Sequence, residues 1–413
     1  MREAAILQGF PQEYTFDGPF VNQYRQIGEA VPPAFARCVA WQVLDFFNHP
    51  KKTRLLLKGT QKPKKPRGHE TRIGLVDAFC GAGGLSLGFG AAGFDSLYAF
   101  DTDGSAVDTF NGALERVAEV SDITGSAIVD RISKVISAKQ PYVIVGGPPC
   151  QGFSQQRRGE NDDGRNNLVT RYANVIAALP QNPSAIVLEN VTYLDSPRGV
   201  HILKEYIRLL EKIGFVTFRH DLNSADFGVP QLRRRILIVS IAERFSHSYS
   251  GPIALTPSRW PTIGESLHDM PDVVVDGDST LTNHYASKEG PVNKRRIMFV
   301  DMGRGRLSIP DELQLDCHRR YGGHLDVYGR LDWFSLARTI TGGFDSFTRG
   351  EFAHPFYHRS ITPREAARIQ GFPDWFTFAG NKASVRRQIG NAVPPPMAFA
   401  VAKAIKKAIT LEQ

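Results

Sequence analysis

The chain has 413 residues, 42% hydrophobic and 22% charged, with a formal net charge of +8; this is an ordinary globular composition, and the length suggests two or three domains. No run approaches the ~18 apolar residues of a membrane span, and the start carries Arg2 and Glu3 in place of an apolar signal core, so a cytoplasmic location is expected. Cys38, Cys80, Cys150 and Cys317 are scattered without a CxxC pair, which argues against a disulfide framework, and the Cys317, His318, His324 group is too poorly spaced to hold a metal.

In chain order, the first element is a repeat. "MREAAILQGFP" opens the chain and "TPREAARIQGFP" returns near its end, and an offset of 362 aligns the two without a gap, with about 19 of the 32 positions from Arg2 to Pro33 identical. Residues 1–48 are thus a partial copy of 363–410, too widely spaced for a solenoid. The later copy has Thr362, Pro363 and Glu365, the pattern of an N-cap, a first-turn proline and a capping box. The earlier copy has Met1 where Pro363 would stand and so lacks the cap, a loss of roughly 1 kcal/mol. Residues 49–71 read as a solvated basic linker, with eight Lys or Arg and no acid between positions 51 and 67.

Residues 72–245 alternate strand and helix signals. Ile73 to Phe79 is an apolar strand that breaks into Gly81, Gly83 and Gly84 before a helix, a turn that lets a ligand approach backbone amides. The next strand, "SLYAFDTD", ends in Asp101, about twenty residues on, where a carboxylate commonly accepts hydrogen bonds from a ribose. Asp122 follows a third segment. The pattern predicts an α/β fold, a doubly wound and mostly parallel Rossmann-like sheet that binds a nucleoside.

Three further segments bring chemistry to the same edge. "PYVIVGGPPCQGFS" is a buried strand and a Gly-Pro turn presenting Cys150, a candidate nucleophile, although an isolated buried thiol is more often inert. "SAIVLENV" delivers Glu189 at the end of another apolar strand, able to exchange a proton with a ring substrate. "FGVPQLRRRILIVSI" sets Gln231, Arg233 and Arg235 at alternate positions and hence on one strand face. Residues 246–345 are rich in Gly, Asp, Arg and His, and residues 346–413 follow them to the C-terminus.

Taken in order, "DAFCGAGGLSLG", "GGPPCQGFS", "LENV", "QLRRR", "TPREAARIQGFPD" and "QIGNAVPP" closely resemble the motif series of DNA cytosine-5 methyltransferases. The resemblance runs from about Ile73 to the C-terminus. It implies the S-adenosylmethionine-dependent methyltransferase fold and a covalent mechanism on a flipped-out cytosine. It assigns Cys150 as nucleophile, Glu189 as the group at ring nitrogen 3, and Arg233 and Arg235 as holding the glutamate and the base carbonyl. Phe79, Gly81, Gly83, Gly84, Asp101 and Asp122 match positions around S-adenosylmethionine, as do Ile123, Pro149, Leu168 and Asn391.

Residues 246–345 then resemble a target-recognition domain, ending in "RTITGG". Gln151, Ser154, Arg304 and Arg306 are expected on double-stranded DNA, with Thr339, Gly342 and Gly343, and Lys294, Arg295 and Arg296 are further cations for phosphate or guanine. An RNA cytosine-5 methyltransferase and a non-catalytic DNA-binding or assembly subunit are the alternatives; the recognition segment favours duplex DNA, and Pro149, Cys150 and Glu189 are all present. The usual cellular partner of such an enzyme is a cognate restriction endonuclease. The C-terminal copy is expected to complete the cofactor pocket, leaving residues 1–48 as a truncated relic or, on a second reading, as an element that completes another methyltransferase chain or mediates self-association.

Overall fold

The computed structural model describes residues 1–11, 13–37, 72–137, 140–149, 167–197, 199–256, 259–273, 281–319 and 323–411. They fall into two compact units, Met1–Leu55 and Leu56–Gln413. Among the described residues no helix is long and apolar enough to cross a membrane.

The first unit holds two helices, Arg2–Leu7 (α1) and Phe20–Glu29 (α2). Between them Phe10, Tyr14 and Phe16 pack ring against ring at 4.9 to 5.1 Å, an arrangement worth more than the area it buries. Helix α1 has no side-chain cap. Its exposed N-terminal ammonium donates instead to the Tyr24 hydroxyl at 2.6 Å.

The second unit is built on a seven-stranded sheet. Its strands are Ile73–Ala78 (β1), Phe94–Asp101 (β2), Ala118–Val120 (β3), Tyr142–Gly146 (β4), Ala185–Asn190 (β5), Phe215–Asn223 (β6) and Arg234–Ala242 (β7). They lie in the order β3-β2-β1-β4-β5-β7-β6, with β7 antiparallel to both neighbours and the remaining pairs parallel. This is the mostly parallel α/β sheet that the alternating sequence predicts. Strands β1, β4 and β5 are buried at every residue because both faces are covered, which is why they read as continuous apolar runs.

Strand alternation divides the core in two. Val76, Ile144 and Leu188 face one layer, which contains Ile128–Val135 (α5), Asn167–Ala177 (α6) and Val200–Glu211 (α7). Leu75, Val143 and Val187 face the other, built from Gly84–Ala91 (α3) and the last helix, Pro395–Leu411 (α10). The helix Gly104–Ala113 (α4) follows β2, its N-terminus capped by Asp103, which accepts from Ser105 N–H at 3.0 Å.

The C-terminal segment forms Pro363–Ile369 (α8), Lys382–Asn391 (α9) and α10. The capping box is present: Thr362 accepts from Glu365 N–H at 3.1 Å, and Glu365 accepts from Thr362 N–H at 2.8 Å. Helix α3 meets α10 closely because Gly84 and Gly88 lie one turn apart on its surface. A side chain on Gly84 would collide with the Val393 carbonyl, and one on Gly88 with Pro395 and Ala398. The glycine run therefore serves the packing of the tail.

Beyond the sheet lies a small, irregular substructure whose only paired strands are Gly329–Arg330 (β8) and Glu351–Ala353 (β9) among the described residues. Its core joins Ile297, Val300, Ile309, Tyr328, Phe347 and Ala353. That core continues past residue 345, the boundary expected from the motifs, because the chain returns through β9 to pair with β8.

Candidate active site

The strand order reverses between β1 and β4, and in open α/β sheets the crevice at the carboxyl ends beside such a reversal takes the ligand. Ala78 pairs with Gly146, and Gly146 with Leu188. The residues immediately after them, Phe79, Gly147 and Glu189, therefore share one edge.

Glu189 is 8% exposed. Its Oε1 lies 3.0 Å from Arg235 Nε, but no donor is aimed at that oxygen closely enough to count as a hydrogen bond among the described residues. The contact is a charge pair that leaves lone pairs on Oε1 uncommitted. A buried carboxylate oxygen without a donor is costly unless a ligand supplies one. Gly147 stands against the other oxygen, since a Cβ there would lie 3.1 Å from Oε2. The neighbouring Asn190 donates to the Pro148 carbonyl at 3.1 Å and so fixes the start of the loop that leads to residue 150. Sequence reasoning passed over Gly147 and read Asn190 only as a glycosylation sequon to be dismissed, although "GGPP" and "LEN" carry both in plain view. Cys150, Gln151 and Ser154 lie outside the described residues, as does Cys38.

On the β1 side the chain turns sharply, with Phe79 at φ 58, Gly81 at φ 52 and Gly83 at φ 93. Phe79 is held by rings on both flanks, Phe100 and Tyr172, each at 6.3 Å. The turn is pinned by Asp101, whose Oδ2 accepts from Gly81 N–H at 2.9 Å and Oδ1 from Asp103 N–H at 2.9 Å. Burial raises the Asp101 carboxyl above its usual range. The three glycines do different jobs. The absent side chain of Gly83 makes room for Leu114 and Phe110 and that of Gly84 for Val393, whereas no described residue lies within 4 Å of a Cβ at Gly81.

Beneath the turn Asp77 accepts from the Ser86 hydroxyl at 2.6 Å, and burial pushes its carboxyl up to about 7. Cys80 is buried too, and desolvation, with Asp77 and Asp101 nearby, drives its thiol well above the usual value. A thiol so disposed is inert. Ile123 is core-packed at 2% exposure, and its carbonyl accepts from Arg171 at 3.1 Å. Asp122 is exposed and accepts from Thr124 N–H at 2.8 Å. Leu168 is half-buried against the core of the α6 layer, whereas Pro149 and Asn391, at the end of α9, are exposed.

The profile of the family described as C-5 cytosine-specific DNA methylase matches residues 73–407, and also residues 1–45. The chain belongs to that family. It is 32% identical to the Type II methyltransferase M1.HphI of Haemophilus parahaemolyticus, over 82% of this chain and 87% of that one. To M.XorII of Xanthomonas oryzae pv. oryzae it is 33% identical, over 81% and 84%. Among solved structures, an E. coli prophage protein described as a DNA modification methyltransferase superposes with a TM-score of 0.65 at 23% identity, covering 82% of this chain and 99% of that one. The Entamoeba histolytica methyltransferase EhMeth gives 0.58 at 14% identity over 83% and 100%. These last two likenesses concern the fold.

In this methylase the "QLRRR" segment does not present three side chains to one face, because only Arg234 and Arg235 lie within β7. Gln231 is fully buried and acts as a clamp: it donates to Gln370 at 2.8 Å and accepts from Ile340 N–H at 2.8 Å. Gln370 in turn donates to the Ile389 carbonyl at 2.7 Å. Arg233 donates to the Ile340 carbonyl at 3.0 Å, and burial beside Arg235 lowers its pKa to about 9. Arg235 alone pairs with Glu189 among the described residues. The segment thus ties the Ile340 stretch to the tail.

Thr339 belongs to the same seam and donates to the Leu232 carbonyl at 2.9 Å. Gly342 lies where α9 crosses, because a side chain on Gly390 would collide with its backbone, and Gly343 packs against Arg349.

The cations expected on DNA divide into two groups. Lys294, Arg295 and Arg304 are exposed. Arg306 is not: it is 4% exposed and donates to the His318 carbonyl at 2.8 Å and the Gly323 carbonyl at 2.7 Å. Arg296 likewise donates to the Leu313 carbonyl at 2.7 Å and the Tyr328 hydroxyl at 3.2 Å. Both were expected at the DNA surface and instead satisfy backbone within the small substructure. Their side chains are long enough to reach inward, and irregular backbone leaves carbonyls for them to find.

Proposed function

We propose that this DNA cytosine-5 methyltransferase modifies cytosine within a defined duplex site and protects that site from a cognate restriction endonuclease. The observation that carries the catalytic assignment is the buried Glu189, charge-paired with Arg235 yet lacking a hydrogen-bond donor on Oε1 among the described residues, at the edge where the strand order reverses. The Type II names of the relatives support the protective role.

A base within a duplex cannot reach such an edge, so the cytosine must leave the stack, which costs a few kcal/mol offset by pocket and phosphate contacts. Cys150 adds its thiolate to ring carbon 6 while Glu189 meets nitrogen 3, and the resulting enamine makes carbon 5 nucleophilic. Arg235 holds the Glu189 carboxylate in place. Once carbon 5 carries the methyl group, loss of its proton and expulsion of the Cys150 thiolate restore the aromatic ring.

The β1 edge fits S-adenosylmethionine. No described residue comes within 4 Å of a Cβ at Gly81, and Asp101, held by the Gly81 and Asp103 N–H groups, has lone-pair capacity left for a ribose hydroxyl. Phe79 offers a ring face nearby. When bound, the cofactor supplies a methyl carbon activated by a sulfonium. Lys294, Arg295 and Arg304 are assigned to the DNA backbone or to guanine.

Bisulfite sequencing of DNA from cells expressing the chain tests the reading. Protected cytosines should occur in a single sequence context with the native chain and be absent with Cys150→Ala. Methylation that survives in the variant would remove Cys150 from the mechanism, and no methylation by the native chain would overturn the function.

A further inference from the structure

The two copies of the tail fold alike but are covered differently. Under the offset of 362, α1 ends where α8 ends, and α2 coincides with α9 at both ends. Their internal contacts also correspond. Arg2 donates to the Tyr14 carbonyl as Arg364 donates to that of Phe376. The Phe10, Tyr14 and Phe16 rings repeat the cluster of Phe372, Phe376 and Phe378. Ala5 and Ile27 are buried, as are Ala367 and Ile389.

The outward positions part company. Ile369, Val393 and Met397 are 0%, 7% and 0% exposed, packed among β1, α3 and the end of the recognition region. Their counterparts Leu7, Val31 and Phe35 are 88%, 59% and 63% exposed. Each has remained apolar. Gly390 must be glycine because the Thr341–Gly342 backbone passes against it, and its counterpart Gly28 is also glycine although no described residue lies within 4 Å of where a Cβ would stand. A glycine inside a helix costs about 1 kcal/mol relative to alanine, and exposed apolar side chains clustered on one small unit mark an interaction surface. The first unit therefore keeps, exposed among the described residues, the apolar face by which the tail docks.

We propose that residues 1–37 are a docking element for the catalytic core of a second cytosine-5 methyltransferase polypeptide that lacks its own tail. Leu7, Gly28, Val31 and Phe35 seat there as Ile369, Gly390, Val393 and Met397 seat on the core of this chain. A second copy of this chain is not the occupant, because each copy brings a tail whose α10 already lies against α3.

The test uses tagged full-length chain as bait, co-expressed with a stand-in recipient, residues 56–361 of this chain. The bait should hold the recipient in soluble form, and Leu7→Asp with Phe35→Asp in the bait should reduce retention at least ~10-fold, since each change removes a buried apolar anchor, while the bait's own methylation is unchanged. Retention that survives the double substitution overturns the proposal, as does a recipient held by free residues 362–413 but not by the bait. If neither holds it, a graft decides: full-length chain with residues 363–397 replaced by residues 1–35 must stay soluble and melt cooperatively, and an aggregated graft overturns the proposal. Full-length chain alone should sediment as a monomer; a dimer broken by the double substitution would make a second copy the occupant and would equally refute it.

Discussion

The sheet and the small irregular substructure solve the same problem in opposite ways. In the sheet, β1, β4 and β5 satisfy their backbone through ladders and bury apolar side chains on both faces. The small substructure has one short parallel pair among the described residues, and its loose carbonyls are gathered by arginines. Arg330, 3% exposed, donates to the carbonyls of Ile297, Val300, His354 and Tyr357. Regular structure distributes hydrogen bonding along the chain; irregular structure concentrates it in a few planar, multi-donor side chains. Single substitutions should therefore act on chemistry in the first region and on folding in the second.

The largest effect is expected at the sheet edge. Glu189→Gln should lower kcat ~10²- to 10⁴-fold, the range for a positioned acid or base, while duplex binding persists; a variant within a few-fold of native would detach Glu189 from the reaction. Next, Arg330→Met should destabilise the small substructure by ~3–5 kcal/mol, because four carbonyls lose a charged donor in a buried site. Hydrogen exchange should show that loss in residues 297–353 and leave β1, β4 and β5 protected. Equal exchange in both regions would erase the contrast.

Asp77 gives a smaller, pH-dependent effect. Its folded carboxyl sits near 7 against an ordinary value of 3.8, so the folded state binds the proton more tightly than the unfolded one. The sign is destabilising with rising pH: native stability should fall between about pH 4 and 7, a slope that Asp77→Asn should flatten in thermal melts. An unchanged slope would place the titration elsewhere. Smallest of all, Arg304→Ala should leave stability within ~0.5 kcal/mol and reduce the salt dependence of DNA binding by about one phosphate contact. No change in that slope would remove Arg304 from the DNA face.

The same contrast explains what the sequence revealed. Buried strands, the glycine turn and the carboxylates at strand ends follow from period and position, which are local. Glu189 and Asp101 were legible because a polar residue closing an apolar run has few places to go. Arg296 and Arg306 were not, because an arginine in a polar stretch reads as solvated until the fold shows which carbonyls lack partners. Gln231 misled for a related reason: alternation placed it on a strand face, but the strand begins at Arg234, and its amide instead joins Ile340 to Gln370 across more than a hundred residues. Long-range seams of this kind leave no periodic trace.

The central claim is a covalent bond between the Cys150 sulfur and carbon 6 of a cytosine. Duplex oligonucleotides carrying 5-fluorodeoxycytidine at the methylated position, incubated with the chain and S-adenosylmethionine, should yield a complex that survives denaturing electrophoresis, because fluorine at carbon 5 blocks the elimination that would free the enzyme. Cys150→Ala should yield none. A native chain that methylates the unmodified site yet never forms that complex would contradict the account.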